Sequence, residues 1–285
     1  MREELSMKIL AGIILYNPDI PRLLQNIKEI KEQVDQLICI DNGSTNLTSV
    51  RTCLSKEIEI VELKENLGIA AALNRILEYA ARKQFDWFLT LDQDSVCMPK
   101  LVDHYRLYTE TPKAGILSCV IQDRNFNSEE KSIETLQEIA ECITSASLCN
   151  TVAVTTVGGF DEAMFIDSVD FDICRKLKRN GYKIYKIPFT GILHEVGHGK
   201  NVRLLWKKRV VYNHSVIRNY YMSRNHIYLA KKYFDEISIY KTLLKELEAE
   251  LLILLYESEK LKKLHARHIG IRDGFKNKMG KCTWL

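Results

Sequence analysis

At 285 residues, 46% hydrophobic and 27% charged with a net charge of +4, the chain has the make-up of a globular protein that buries a full core without staples. Its eight cysteines are scattered and form no Cys-x-x-Cys pair, which argues against a disulfide framework or zinc ribbon and for reduced thiols in a cytoplasmic protein. The longest apolar run, Leu251 to Tyr256, falls far short of the roughly 18 residues of a membrane helix, and the charged opening residues do not read as a signal peptide.

Lys8 to Leu15 is an apolar run closed by Tyr16-Asn17-Pro18-Asp19, the pattern of a buried strand and its breaker. A helix is expected from Pro21, with Leu24, Ile27 and Ile30 or Lys31 on one face; Leu37 to Ile40 reads as a second strand ending in Asp41-Asn42-Gly43-Ser44. After a weakly helical polar segment, Ile58 to Leu63 is a third strand. Glu65-Asn66-Leu67-Gly68 then opens a helix with the apolar stripe Ile69, Leu73, Ile76, Leu77 and Ala80. Strands alternating with helices predict an α/β fold, a mostly parallel sheet with helices on both faces.

The fourth strand, Phe88-Leu89-Thr90-Leu91, runs into Asp92-Gln93-Asp94-Ser95. With a period of two, Asp92 and Asp94 leave the strand end on one side. Two hard oxygen donors there suit a divalent cation on a phosphorylated ligand; the competing reading is a polar turn. Parallel sheets bind ligands at the carboxyl ends of their strands, so Tyr16-Asn17, Asp41 and Asp92/Asp94 are expected to line one rim.

Further on, Pro99 to Tyr108 reads as a helix, Ala114 to Val120 as a strand, Gln122 to Ser132 as a loop and Glu141 to Asn150 as a strand. Gly158 to Glu162 reads as a turn entering another helix. In a helix from about Ser168, Asp170 aligns with Ile173, Cys174 and Leu177 toward the core, whereas Asp172 falls with Arg175, Lys176 and Arg179 as a surface ion pair. An inward carboxylate in a first helical turn either meets backbone amides or lines a cleft. Lys183 to Pro188 is a further strand, and Ile192 to His198 contains His-Glu-x-x-His letters, His194 and His198, on a segment poor for a helix. From Trp206 the chain reads as helical, with an amphipathic segment through Leu255. Residues 200–285 carry 19 basic and 8 acidic side chains, a net of +11, against 22 and 29, a net of −7, in the first 199. That excess is either a solvated face or a surface for a polyanionic or membrane partner.

In order and spacing, ILYNPD, IDNGS, ENLGIAAALNRIL, LDQDS, VGGFDE, FIDSVDFDICRKLKRNGY, ILHEVG and YYMSRN resemble the inverting nucleotide-sugar glycosyltransferases of family 2, with the GT-A fold. The variants LDQDS, FID-x-VD and YYxxRN look most like bacterial dTDP-L-rhamnose-dependent rhamnosyltransferases. The resemblance spans roughly Lys8 to Tyr233. It implies that Asp41 accepts from the pyrimidine imide, that Tyr16 and Asn17 flank the nucleotide, and that Asn66, Gly68 and Asn74 sit beside base and ribose. It implies Asp94, with Asp92 and His194, as contacts of Mg²⁺ or Mn²⁺ on the diphosphate, Asp92 also facing the ribose. Asp170 matches the general base, and Arg224 and Asn225 the neighbourhood of the diphosphate or acceptor. One departure is Ser145-Ala146, where relatives tend to have Ser-Gly.

Residues 1–200 are thus expected to form the nucleotide-sugar-binding catalytic domain, and 201–285 a basic helical region packing on it and meeting membrane or acceptor. The implied partners are a nucleotide-sugar donor, dTDP-L-rhamnose, and a glycan or lipid-linked glycan acceptor at the inner face of the cell membrane, with no nucleic acid. Competing readings are a non-catalytic nucleotide-sugar-binding subunit of a synthase assembly and a zinc hydrolase at His194/His198. The 122–132 loop carries no signature.

Overall fold

A computed structural model describes residues 7–123, 133–194, 199–204 and 206–283. Two compact units emerge, one of Met1–Asp161 with Asp170–Glu195, the other of Glu162–Val169 with Val196–Leu285.

The first unit is built on β1 (Ile9–Leu15), β2 (Gln36–Asp41), β3 (Glu59–Glu62), β4 (Trp87–Asp92), β5 (Val96–Cys97), β6 (Ala114–Asp123), β7 (Gln137–Ile139), β8 (Ser147–Asn150) and β9 (Lys183–His194). They form one sheet in the order β3-β2-β1-β4-β8-β6-β9-β5, with β7 on β9. β3, β2, β1 and β4 are parallel, and β8 runs antiparallel between β4 and β6. β1 is buried along its whole length, as its unbroken apolar run requires of a central parallel strand.

Helices α1 (Ile20–Lys31), α2 (Leu47–Cys53), α3 (Ile69–Arg82), α4 (Leu101–Arg106), α5 (Thr151–Thr156) and α6 (Val169–Arg179) belong with this sheet. Asp19 caps α1, its carboxylate accepting from the Arg22 amide at 3.0 Å, and Pro21 stands in the first turn where no amide is needed. The buried face of α1 is Leu23, Asn26, Ile27 and Ile30, so Leu24 is not part of it as expected. The α3 stripe is buried at Leu73, Ile76, Leu77 and Ala80. Gly12 lets that helix approach β1, because a Cβ there would lie 2.5 Å from Ile76.

One further expectation is corrected. Only Ser147–Asn150 of the Glu141–Asn150 run is a strand. The β-branched Thr151–Thr156 segment that follows is helix α5, nucleated where the Asn150 side chain accepts from the Ala153 amide at 2.9 Å.

In the second unit, β10 (Lys200–Leu204) and β11 (Lys207–Val211) form an antiparallel hairpin ahead of α7 (Val216–Lys232), α8 (Ile239–Tyr256) and α9 (Lys260–Phe275). The helical reading from Trp206 therefore holds only from Val216. Strands so rich in lysine and arginine lack the apolar alternation that announces a hairpin. Among the described residues no helix is long and apolar enough to cross a membrane.

Candidate active site

Parallel pairing brings the carboxyl ends of β2, β1 and β4 to one edge. Leu15 pairs with Asp41 and Ile14 with Asp92, so the two aspartates flank the end of β1. Asp41 is 1% exposed, its carboxylate accepting from the Gly43 amide at 3.1 Å and the Ser44 amide at 3.2 Å, a turn closed by its own side chain. Gly43 has φ +82°, and a Cβ there would sit 2.5 Å from the Glu65 carbonyl carbon. Asp92 and Asp94 are both half-buried.

The loops after these strands are sewn together by side chains that the sequence reading missed. Gln93 accepts from the Tyr16 amide at 2.8 Å and donates to its carbonyl at 3.3 Å. Asn42 donates to Asn66 Oδ1 at 3.3 Å and accepts from the Leu67 amide at 2.9 Å. Ser145 Oγ accepts from the Asp92 amide at 3.4 Å and lies 2.8 Å from Ser95 Oγ. Ala146 has φ +56°, so the backbone here takes the conformation that glycine adopts without penalty.

Several residues expected at the nucleotide make hydrogen bonds within the protein. Asn17 Oδ1 accepts from the amide and hydroxyl of Thr45, at 2.8 and 2.9 Å. Asn66 Oδ1 accepts from the Gly68 amide at 2.9 Å. Asn74 donates to the Phe160 carbonyl at 2.9 Å and accepts from its amide at 2.8 Å, closing the 158–160 turn with both ends of its amide. Of this group Tyr16, 48% exposed, keeps a ring on the surface at the rim.

Asp170 opens α6, half-buried, with Oδ1 accepting from the Phe171 amide at 3.0 Å. Asp172, expected on the solvent face, is fully buried, 3.5 Å from Lys176 Nζ, which also donates to the Gly159 carbonyl at 2.9 Å. The 158–160 turn therefore covers the flank of α6 that periodicity left to solvent. Beside Phe171 and Ser145 lies a cavity of about 290 Å³, lined also by Ser118, Cys119, Ile121, Glu141, Cys142, Ile143 and Lys186. Glu141 is paired with Arg175 at 2.5 Å. Cys39 and Cys119 are ordinary core thiols: burial pushes Cys39 up to about 12 and Cys119 to about 11.

His194 ends β9, so the His-Glu-x-x-His letters begin on a strand, unlike the helix that metalloproteases use. Its side chain, the following residues through His198 and most of the 122–132 loop lie outside the described residues. Among the described residues no group of three or more His, Cys, Asp or Glu could hold a metal ion. Asp92 and Asp94 nevertheless fit Mg²⁺ or Mn²⁺ chemically, since such ions take one or two carboxylates and complete their shell with phosphate and water.

In the second unit Arg224 and Asn225 are fully buried. Arg224 donates to the carbonyls of Gly280 at 2.6 Å, Met164 at 2.7 Å and Ala163 at 3.4 Å, its guanidinium 4.8 Å from the Tyr221 ring centre. Asn225 Nδ2 donates to the carbonyls of Met164, Ile166 and Asp167. They hold a segment in which Phe165, Asp167 and Ser168 all have φ near +65°, and which leads directly into α6. Burial raises the Asp167 carboxyl above the usual range, with Arg218 at 3.2 Å opposing it.

Residues 11–163 match the family model described as glycosyl transferase family 2. The chain belongs to that family. It is 26% identical over 244 residues to dTDP-rhamnosyl transferase RfbF of Shigella flexneri, covering 80% of this chain and 81% of that one. Among solved structures it resembles GalNAc-T7 with UDP, GalNAc and Mn²⁺ (TM-score 0.63, 13% identity, 96% of this chain and 57% of that one). It also resembles S. aureus TarS (TM-score 0.58, 14% identity, 95% and 49%). The chain thus spans about half the length of those two proteins, and at such identity the likeness shows the fold alone. That fold is GT-A, as expected, and this glycosyltransferase carries its family match on the strands that build the rim.

Proposed function

We propose that this glycosyltransferase transfers L-rhamnose from dTDP-L-rhamnose, with inversion, to a hydroxyl of a cell-surface polysaccharide precursor. The observation carrying the reading is the similarity to a dTDP-rhamnosyl transferase over four fifths of both chains. The rim of aspartates at the ends of β2 and β4 supports it. In this reading Asp41 and the Tyr16 ring receive the pyrimidine, residues 1–200 carry catalysis, and 201–285 serve the acceptor side. Asn17, Asn66, Gly68, Asn74, Arg224 and Asn225 shape the loops rather than touch the donor.

Asp94 and Asp92, with His194, would hold Mg²⁺ or Mn²⁺. Such a cation supplies neutralisation of the charge that builds on the departing diphosphate. Asp170 takes the proton of the acceptor hydroxyl as its oxygen bonds to the anomeric carbon, while the bond from that carbon to the diphosphate oxygen breaks and dTDP leaves. The side chain at the first turn of α6, half-buried and next to the 290 Å³ cavity through Phe171, supports that role. The cavity is the place we assign to a sugar ring.

The acceptor we propose is lipid-linked, met by a cytoplasmic enzyme at the inner membrane face. Lys200, Arg203, Lys207, Lys208 and Arg209 on the β10–β11 hairpin suit an anionic headgroup layer.

The test is transfer and donor hydrolysis with dTDP-rhamnose, Mn²⁺ and candidate acceptors, against UDP- and GDP-sugars. Asp170→Asn is expected to lower turnover by about 10²–10⁴ while leaving the thermal shift by donor intact. Full activity of that variant removes the base assignment. Donor binding without turnover on any acceptor removes the catalytic reading in favour of a binding subunit.

A further inference from the structure

We propose that the outer face of α8 is a self-association surface that pairs with the same helix of a second copy of this chain. The helix has its polarity reversed. Toward its own unit it presents Thr242, Glu246 and Ile253, with Glu246 held by His226 and Arg267, each at 2.6 Å. Its leucines other than Leu252 point away.

Tyr240, Leu244, Leu247, Leu251 and Leu254 recur at intervals of four, three, four and three residues. That spacing makes the seam along which two helices pack at a shallow angle. Their exposures are 79, 61, 55, 43 and 43%. With Leu243 and Leu255 at the flanks, 39 and 56% exposed, they leave a continuous apolar strip of seven side chains in water. Monomers seldom leave so large an apolar patch uncovered.

The occupant is argued from charge and from shape. A helix that lies on an anionic bilayer carries lysine and arginine along its polar face. On α8, Lys241 and Lys245 stand against Glu246, Glu248 and Glu250, and the basic residues of this region lie instead on β10, β11 and α9. A leucine stripe with a balanced polar side is what a like helix recognises, and about a two-fold axis the stripe is its own complement. The face is also set in advance. Arg209 holds Glu248 at 2.5 Å, and the Tyr256 hydroxyl donates to the Arg203 carbonyl, so pairing orders little that is loose.

Sedimentation velocity of the full chain over a micromolar concentration series tests this. The wild type is expected to sediment as a dimer. Leu247→Glu with Leu251→Glu is expected to be a monomer, with a dissociation constant raised at least about tenfold, and with far-ultraviolet circular dichroism and the donor-induced thermal shift unchanged. Should that pair not fold, Leu247→Ala with Leu251→Ala weakens the dimer in the same direction. A wild type that stays monomeric throughout, or a dimer equally tight in the folded variants, overturns the proposal. So does a monomeric wild type that floats with phosphatidylglycerol vesicles while the glutamate variant does not, since the face is then a lipid contact.

Discussion

Replacing Arg224 by methionine keeps an aliphatic stem and removes the guanidinium, which lies over the Tyr220 and Tyr221 rings. The two short bonds lost, to the Gly280 and Met164 carbonyls at 2.6 and 2.7 Å, join a charged donor to buried acceptors. Hydrogen bonds to charged groups contribute about 1.5–3 kcal/mol each, and an orphaned buried carbonyl carries its own desolvation penalty. Losing the positive charge from a buried site offsets part of this. The net destabilisation is therefore expected near 3–4 kcal/mol, a large share of the roughly 5–15 kcal/mol that holds a domain folded. Urea unfolding followed by circular dichroism measures it, beside donor affinity by calorimetry at low temperature, where the variant stays folded. Affinity is expected to change less than about threefold, well under the 1.4 kcal/mol that a tenfold change represents. Arg224→Lys should recover only part of the stability, because an ammonium cannot span carbonyls that a planar fork reaches together. Stability within 1 kcal/mol of wild type together with lost donor binding would refute the reasoning and return Arg224 to the ligand.

The other predictions can be checked with the same two assays. Asn74→Ala removes both bonds to Phe160 and should cost about 1–3 kcal/mol of stability, with Asn74→Asp, which lacks the donor, in between. Ala146→Gly relieves a left-handed backbone worth about 1–2 kcal/mol but loses a buried methyl and adds unfolded-state freedom. It should shift stability by less than 1 kcal/mol, whereas a β-branched valine there should be clearly destabilising. Burial, then Arg218 and Lys263, lower His214 from 6.5 to about 4. The unfolded chain then binds more protons between those values, so stability is complete above pH 6.5 and declines toward pH 4. His214→Asn should flatten that decline in urea titrations at pH 7 and pH 5. Glu246 adds a later loss in the same direction. Burial raises its carboxyl, but His226 and Arg267 together outweigh this and hold it below its usual range, so its contribution disappears only as acid reaches the carboxylate region.

The fold was legible because its signals were long and periodic. The apolar run of β1 and the stripe of α3 dictate a buried parallel strand and the helix on it, and the Asp-rich turns mark the ends of β2 and β4. Thr151–Thr156 drew no reading because β-branched residues favour strands, and a capping asparagine outweighs that local preference. The β10–β11 hairpin was missed because its strands carry charge where a strand pattern expects apolar residues. At α6 the spacing of Ile173, Cys174 and Leu177 marked the core side, but a wheel of one helix cannot show what another loop lays over its flank. Asp172 was lost to that loop.

The candidate site divides along a line that the letters alone do not draw. Asparagine and arginine are chosen for a nucleotide because they offer amide and guanidinium hydrogen bonds, and the same groups satisfy a turn whose carbonyls find no helix or sheet. Asn17, Asn74, Arg224 and Asn225 each hydrogen-bond such backbone or its neighbours, and Arg224 and Asn225 do so fully buried. Three left-handed residues between 165 and 168 would be unstable alone, since each costs about 1–2 kcal/mol. The YYMSRN helix supplies side-chain donors to the carbonyls of Met164, Ile166 and Asp167 around them, and the segment they shape leads along the chain to Asp170. A motif that reads as ligand chemistry thus acts first on the backbone. On the role proposed for Asp170, substitutions at Arg224 or Asn225 should lower kcat while KM for the donor stays near its original value. A raised KM at unchanged kcat would place these residues on the donor after all.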